Sequence, residues 1–122
     1  MNSYQNLEAY KKGMLLVKEV YRICISYPKE EMYALTAQTK RAVVSIPTNI
    51  AEGLGRNFKK DTIQFLHIAR GSLYELETLL NVAIMVNYQN EENVSLCKSM
   101  IEEEKKILNG LIKSFEQRTD LK

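Results

Sequence analysis

The stretch Arg41–Arg56, RAVVSIPTNIAEGLGR, decides how the chain is read. Its apolar residues recur at helical spacing, yet a proline stands at 47, glycines follow at 53 and 55, and the ten positions Ala42–Ala51 carry no charge. The spacing predicts a helix from about Glu30 or Leu35 to Ala51 or Glu52, with a break near Tyr33. At about 100° per residue, Leu35, Thr39, Ala42, Val43, Ile46 and Ile50 form one apolar arc. Gln38, Arg41, Ser45, Asn49, Glu52 and Arg56 form a polar arc beside it. The remaining back is Ala37, Val44, Pro47, Thr48 and Ala51, with Lys40 its only charge. A helix with so little charged perimeter is covered on more than one side. In a chain of this size the second cover has to be another copy, so a homo-oligomer is expected.

Pro47 lacks an N–H and crowds the Val43 carbonyl, which predicts a kink. Ser45 and Asn49 are candidate donors to the freed carbonyl. Buried members of the polar arc must be hydrogen-bonded, at a cost of about 1–3 kcal/mol for each that is not. Gly71-Ser72 further on is a small pair that would let two helices approach closely, with Ser72 reaching Asn49 and Glu75 at the edge. Two readings stay open for this arc: a polar network that fixes register and partner geometry, or a ligand or catalytic site.

Outward from this stretch three more helices are predicted. Helix 1 shows Leu7, Tyr10, Met14, Val17, Tyr21 and Cys24 at alternating three-four spacing, read as its seam, and ends near Tyr27-Pro28. Gly53 and Gly55 are expected to stop helix 2 with positive φ. Asn57 is expected to cap helix 3, which continues to about Asn87 with Phe65, Ala69, Ser72, Leu73, Leu76, Leu80 and Ala83 on its apolar face. Helix 4 follows NYQNEEN and places Val94, Cys97, Ile101, Glu104, Leu108, Leu111 and Phe115 at seam spacing. No strand pattern, internal repeat or low-complexity tract competes. The expectation is all-α: one domain over residues 1–122, an antiparallel up-down-up-down four-helix bundle that assembles into a ring-like homo-oligomer.

The bulk numbers fit this. The 122 residues are 45% hydrophobic and 26% charged, with 5 glycines and 2 prolines, an ordinary globular composition. No apolar run approaches the roughly 20 residues that cross a bilayer, and the polar start MNSYQNLEAYKK lacks a secretory layout. A cytoplasmic location without membrane contact is expected. Cys24 and Cys97 read as buried space-filling thiols. The net charge is only +2, but residues 40–70 set Lys40, Arg41, Arg56, Lys59, Lys60 and Arg70 against Glu52 and Asp61, a local balance of +4.

The segments QTKRAVVSIPTNIAEGLGRN and FLHIARGSLYELETLL together form a long pattern. It runs through Lys40, Arg41, Ser45–Gly53, Gly55-Arg56 and Ala69–Glu77. This pattern resembles the four-helix-bundle family of 23S rRNA intervening-sequence proteins. The resemblance extends over all four helices, though helices 1 and 4 carry little motif. Asn57 stands where serine is usual. The resemblance implies a homopentameric barrel of bundles. Reading frames of this family often lie in insertions within bacterial large-subunit rRNA genes. It also implies likeness to accessory proteins of diversity-generating retroelements, basic pentamers that engage a reverse transcriptase and nucleic acid.

Three functions are weighed. In the first, a non-enzymatic oligomer associates with RNA. Lys11, Lys18 and Arg22 fall within about 40° on helix 1, and Arg56, Lys59 and Lys60 stand at a helix start able to meet phosphate. A pentamer repeats each patch. In the second, a structural adaptor binds a protein through the back of helix 2 without nucleic-acid contact. Glu104 on the helix 4 seam would then pair with a cation across an interface, or rotate toward water. In the third, a bundle enzyme would need Glu-x-x-His pairs projecting inward, whereas the single His67 has Gln64 three residues before it and lies on a polar face. Neither a phosphate loop, a nucleophile elbow nor a ligating cysteine pair appears. No catalytic residue, metal site or cofactor is expected. Arg41, Ser45, Pro47, Asn49, Glu52, Gly53, Gly55, Ser72 and Glu75 are assigned to structure and the oligomer interface.

Overall fold

The computed structural model describes residues 4–118. It contains four α-helices: α1 (Glu8–Cys24), α2 (Leu35–Leu54), α3 (Lys59–Met85) and α4 (Glu91–Glu116). Single 3₁₀ turns at Tyr4–Asn6 and Lys29–Glu31 precede α1 and α2, and no strand occurs among the described residues. Each helix packs on its neighbour in sequence, most extensively α2 on α3, and α1 closes the bundle against α4.

The core is built by leucine, isoleucine and valine at bundle spacing. Leu16 and Val20 of α1, Val43, Ile46 and Ile50 of α2, Leu66, Leu73, Leu76 and Leu80 of α3, and Ile101 and Leu108 of α4 have no exposed surface. Each is worth on the order of 1.5–3 kcal/mol relative to an exposed side chain. On α3 and α4 the predicted faces are the buried ones, with Phe65 and Leu111 only half-buried.

On α1 the predicted seam is corrected. The buried stripe is Ala9, Gly13, Leu16, Val20 and Ile23, with Cys24 joining at the end. Met14 and Tyr21 are exposed, and Tyr10 and Val17 half-buried. α1 carries two apolar stripes, and the one that enters the core begins with two small residues. Gly13 is closely surrounded there: a Cβ at this position would lie 3.1 Å from Glu104 Oε2, which would have to give by a few tenths of an ångström, and in ordinary contact 3.5 Å from Pro47 Cβ.

The helix ends also differ from expectation. Neither Gly53 nor Gly55 has positive φ; Gly55 sits at φ −88°, ψ 0°. α2 finishes instead in right-handed turns, with Gly55 N–H donating to the Ala51 and Glu52 carbonyls. Gly53 serves close approach, since a Cβ there would stand 2.8 Å from Phe65 Cβ and 3.1 Å from the Thr62 carbonyl. Thr62 Oγ1 donates to the Gly53 carbonyl at 2.7 Å, alongside the Arg56 N–H that donates to the same oxygen at 3.2 Å. Asn57 does not cap α3. The helix starts one residue later, after Phe58, without a side-chain cap.

The left-handed stop occurs elsewhere, at Asn87 (φ 68°) after α3. Tyr88 N–H bonds the Ala83 carbonyl at 2.8 Å and Asn87 N–H the Ile84 carbonyl at 3.0 Å, the paired bonds of a Schellman ending. Asn90 then caps α4 by accepting from Asn93 N–H at 2.8 Å. At the start of α2, Glu31 Oε1 accepts from Leu35 N–H at 3.1 Å.

Candidate functional site

The polar arc of α2 forms a hydrogen-bonded contact with α3. Asn49 Nδ2 donates to the Ser45 carbonyl and to Ser45 Oγ, both at 2.8 Å. Ser72 Oγ lies 2.9 Å from Ser45 Oγ and 3.1 Å from the Ile68 carbonyl, so its one proton serves either. Ser45 therefore links Asn49 to Ser72. The Asn49 amide goes to Ser45 rather than to Val43, the carbonyl that Pro47 frees. Helix α2 continues through Pro47 without a break in its assignment. Gly71 does not serve the close approach expected of it: a Cβ there would meet nothing within 4 Å. Arg41, Glu52 and Glu75 are exposed. Glu52 pairs with Arg56 at 3.3 Å, and the Arg56 guanidinium lies 4.7 Å from the centre of the Phe65 ring. These three small polar groups, Ser45, Asn49 and Ser72, make a hydrogen-bonded clasp between the two helices.

The outer side of α1 and α2 is different in kind. Tyr10, Met14 and Val17 of α1 face Val44, Pro47, Thr48 and Ala51 of α2 across an open cleft of about 380 Å³. Met14 is 46% and Val44 39% exposed. Lys40, the only charge on the back of α2, holds its ammonium 4.7 Å from the centre of the exposed Tyr21 ring. Apart from Cys24 and its partly buried members, the stripe read as a bundle seam is thus an outward apolar face, continuous with a back of α2 whose single charge is Lys40.

The basic residues fall into two groups. Lys11, Lys18 and Arg22 run along α1, all exposed. Arg22 makes two bonds to the buried Glu19, at 2.9 and 2.7 Å, and so neutralises a carboxylate that would otherwise be buried alone. Arg56, Lys59 and Lys60 lie at the α2–α3 junction, where Lys59 Nζ donates to the Arg118 carbonyl at 2.9 Å. Tyr4 borders a cleft of about 420 Å³ with Ala51, Glu52, Gly55 and Arg56, which puts the start of α1 beside this junction. Arg22 is at the other end, beside Gln89 and Asn93. Arg22 is therefore separated from the junction group, while the start of α1 lies beside it.

Inside the bundle, Glu104 is 0% exposed and neither carboxyl oxygen has a hydrogen-bond partner. Both readings of this residue are corrected, for it reaches neither water nor a cation on another chain. Burial, then Glu103, push its carboxyl up to about 8, with Lys12 opposing. Burial raises the Cys24 and Cys97 thiols to about 11 and about 12, so neither is a thiolate nucleophile near neutrality. His67 is exposed on α3, its Nδ1 2.8 Å from Arg70 Nη2. Among the described residues no group of three or more His, Cys, Asp or Glu side chains could hold a metal ion, and no helix is long and apolar enough to cross a membrane.

Sequence reasoning missed the roles of Gly13, Glu19 and Thr62. Only the Glu19–Arg22 spacing of three carried a readable signal. The sequence model of a family described as 23S rRNA-intervening sequence protein matches residues 5–110, from the turn before α1 into the last third of α4. No curated protein matches the chain.

Proposed function

Because the chain belongs to the 23S rRNA-intervening sequence protein family, we propose that it acts as a non-enzymatic ring-like homo-oligomer that associates with RNA in the cytoplasm. Each copy is an antiparallel up-down-up-down bundle, and the ring is a pentamer. The observation that carries the reading is the outward apolar face of α1 and α2, where Met14 and Val44 stand in water beside Tyr10, Val17 and Ala51. A contiguous apolar patch of this kind marks an association surface. We assign the exposed Arg41, Glu52 and Glu75 to the polar surroundings of the interface between copies. Covering the face with a second copy also explains why α2 has so little charge on its back.

RNA association is supported by the family description, by the local balance of +4 over residues 40–70, and by the exposed side chains of Lys11, Lys18 and Lys60. One copy offers weak phosphate contact; a ring repeats it and gains avidity.

Light scattering of the eluting protein tests assembly. The wild-type chain should run as one closed oligomer, and Val44→Glu or Met14→Glu should give a folded, smaller species; a stable wild-type monomer in dilute solution would refute self-association. Retention of single-stranded RNA should fall steeply with salt. The Lys59→Ala, Lys60→Ala double variant should lower the log–log slope by about 1 for each phosphate it no longer neutralises. Absence of retention even at low salt would leave a protein-binding adaptor as the reading of the same face.

A further inference from the structure

One end of the bundle presents a surface that neither the α1–α2 face nor the α2–α3 junction includes. Three contacts bring its two loops together. Tyr88 Oη donates to Glu31 Oε2 at 3.0 Å, Gln89 Nε2 donates to the Ile23 carbonyl at 3.0 Å, and the Tyr27 and Tyr88 rings lie 6.1 Å apart. From this braced floor large apolar side chains stand in solvent. Tyr33 is 92%, Ile25 84% and Met85 74% exposed, and Met32 and Val86 are exposed as well. Single apolar residues scattered over a surface are ordinary. Five gathered at one end, Ile25, Met32 and Tyr33 between α1 and α2 and Met85 and Val86 where α3 ends, lie on segments joined by direct contacts and offer an association surface.

Charge decides what can cover it. Over residues 25–34 and 85–93, Lys29 stands against Glu30, Glu31, Glu91 and Glu92; with the Arg22–Glu19 pair at the wall of the end cavity and Lys98 on Glu91, three cations meet five carboxylates, a balance of −2. Glu31 is engaged by Tyr88 and Leu35, and Glu91 pairs with Lys98 at 3.5 Å. Glu30 and Glu92 have no ion-pair partner among the described residues and are exposed. Nucleic acid and anionic lipid are disfavoured by such a surface, and a second copy placed end to end would set −2 against −2. A cationic polypeptide is drawn to it. A cavity of about 270 Å³ beside Ile25, with the buried Gln89 in its wall, opens at the same end and is the size of one side chain.

We propose that this end docks a basic amphipathic segment of another protein, its apolar side chains against Ile25, Tyr33 and Met85 and its cations facing Glu30 and Glu92. The site is independent of RNA binding, which is assigned to other basic surfaces.

Fluorescence anisotropy of the full chain at physiological salt tests this with three labelled synthetic peptides of equal length. One is an amphipathic helix of Lys and Leu, one its twin with Glu for Lys, and one its twin with Ser for Leu. The Lys-Leu peptide should bind, and both twins should bind at least about tenfold more weakly. The Tyr33→Ser, Met85→Ser and the Glu30→Lys, Glu92→Lys double variants should each weaken the Lys-Leu peptide about tenfold or more, whereas Ile68→Ser, an exposed apolar position on α3 outside both surfaces, should not. These positions are exposed, so unchanged melting would exclude unfolding as the cause. Equal binding of the Glu twin, unaltered binding by both double variants, or a rise in oligomer mass abolished by Tyr33→Ser, Met85→Ser would overturn the proposal.

Discussion

Replacing Glu104 by Gln should remove a pH dependence of stability that the wild-type protein carries. The carboxyl is fully buried, unpaired, and has its pKa raised from 4.5 to about 8. At pH 7 roughly nine in ten copies therefore hold the proton. The folded state binds that proton more tightly than the unfolded chain, so stability is greatest below the unfolded value, falls as pH rises, and levels off above about 8. The slope in that window is about 1.4 kcal/mol per pH unit for one proton. From about pH 5.5 to 8.5 the wild type should lose on the order of 3 kcal/mol relative to Glu104→Gln. Urea unfolding of both proteins at fixed protein concentration measures this, because association adds its own stability. The m-values should agree, since little surface differs. Glu104→Met, of similar length and without polar oxygens, should exceed the wild type by about 1–3 kcal/mol at pH 7. A wild-type-minus-Gln difference constant to within about 0.5 kcal/mol across the range would refute a buried, unpaired carboxyl.

Two contrasts on the backbone follow. Gly53→Ala should lower stability by about 1–3 kcal/mol, because its Cβ would stand 2.8 Å from Phe65 Cβ and α3 must shift; Gly110→Ala, with open space around its Cβ, should raise it by about 0.5–1 kcal/mol through helix propensity. Thermal melts of the pair read both signs, and loss at both positions would contradict the spacing described. Asn87→Val should cost about 1–2 kcal/mol at the left-handed φ of 68°, whereas Asn87→Gly should be neutral or stabilising, by the same assay.

The four helices were legible because apolar spacing is strong on α3 and α4, where leucine and isoleucine lie mainly on one face. On α1 periodicity gave two answers. Tyr10, Met14, Val17 and Tyr21 have the right spacing, and so do Leu16, Val20 and Ile23; the latter stripe enters the core through Ala9 and Gly13, whose burial hydrophobicity does not announce. Glycine is ambiguous in another way. A glycine after an apolar run reads as a left-handed stop, but Gly53 is there for lack of a Cβ, and the stop fell to Asn87. Glu104 was placed on the correct stripe by spacing, and only the expectation that carboxylates seek water or cations misassigned it. The clasp of Ser45, Asn49 and Ser72 was legible in its members, since small polar residues beside a core arc require one another. Which hydroxyl bridged the other two depended on the distance between helices. The basic residues were readable as charges, but the hold of Glu19 on Arg22 and the separation of Arg22 from the junction group follow from tertiary placement.

Pro47 lines the outer cleft, and a Cβ on Gly13 would touch it at 3.5 Å while meeting Glu104 Oε2 at 3.1 Å on the inner side. The partition between the hidden acid and the outside is at that point only two residues thick. Remodelling the exterior here therefore remodels the interior with it: bulk added at position 13 presses on the carboxyl, and a charge on the carboxyl presses back on the partition. Any effort to redesign how copies meet along α1 and α2 has to be solved together with position 104, as one design problem.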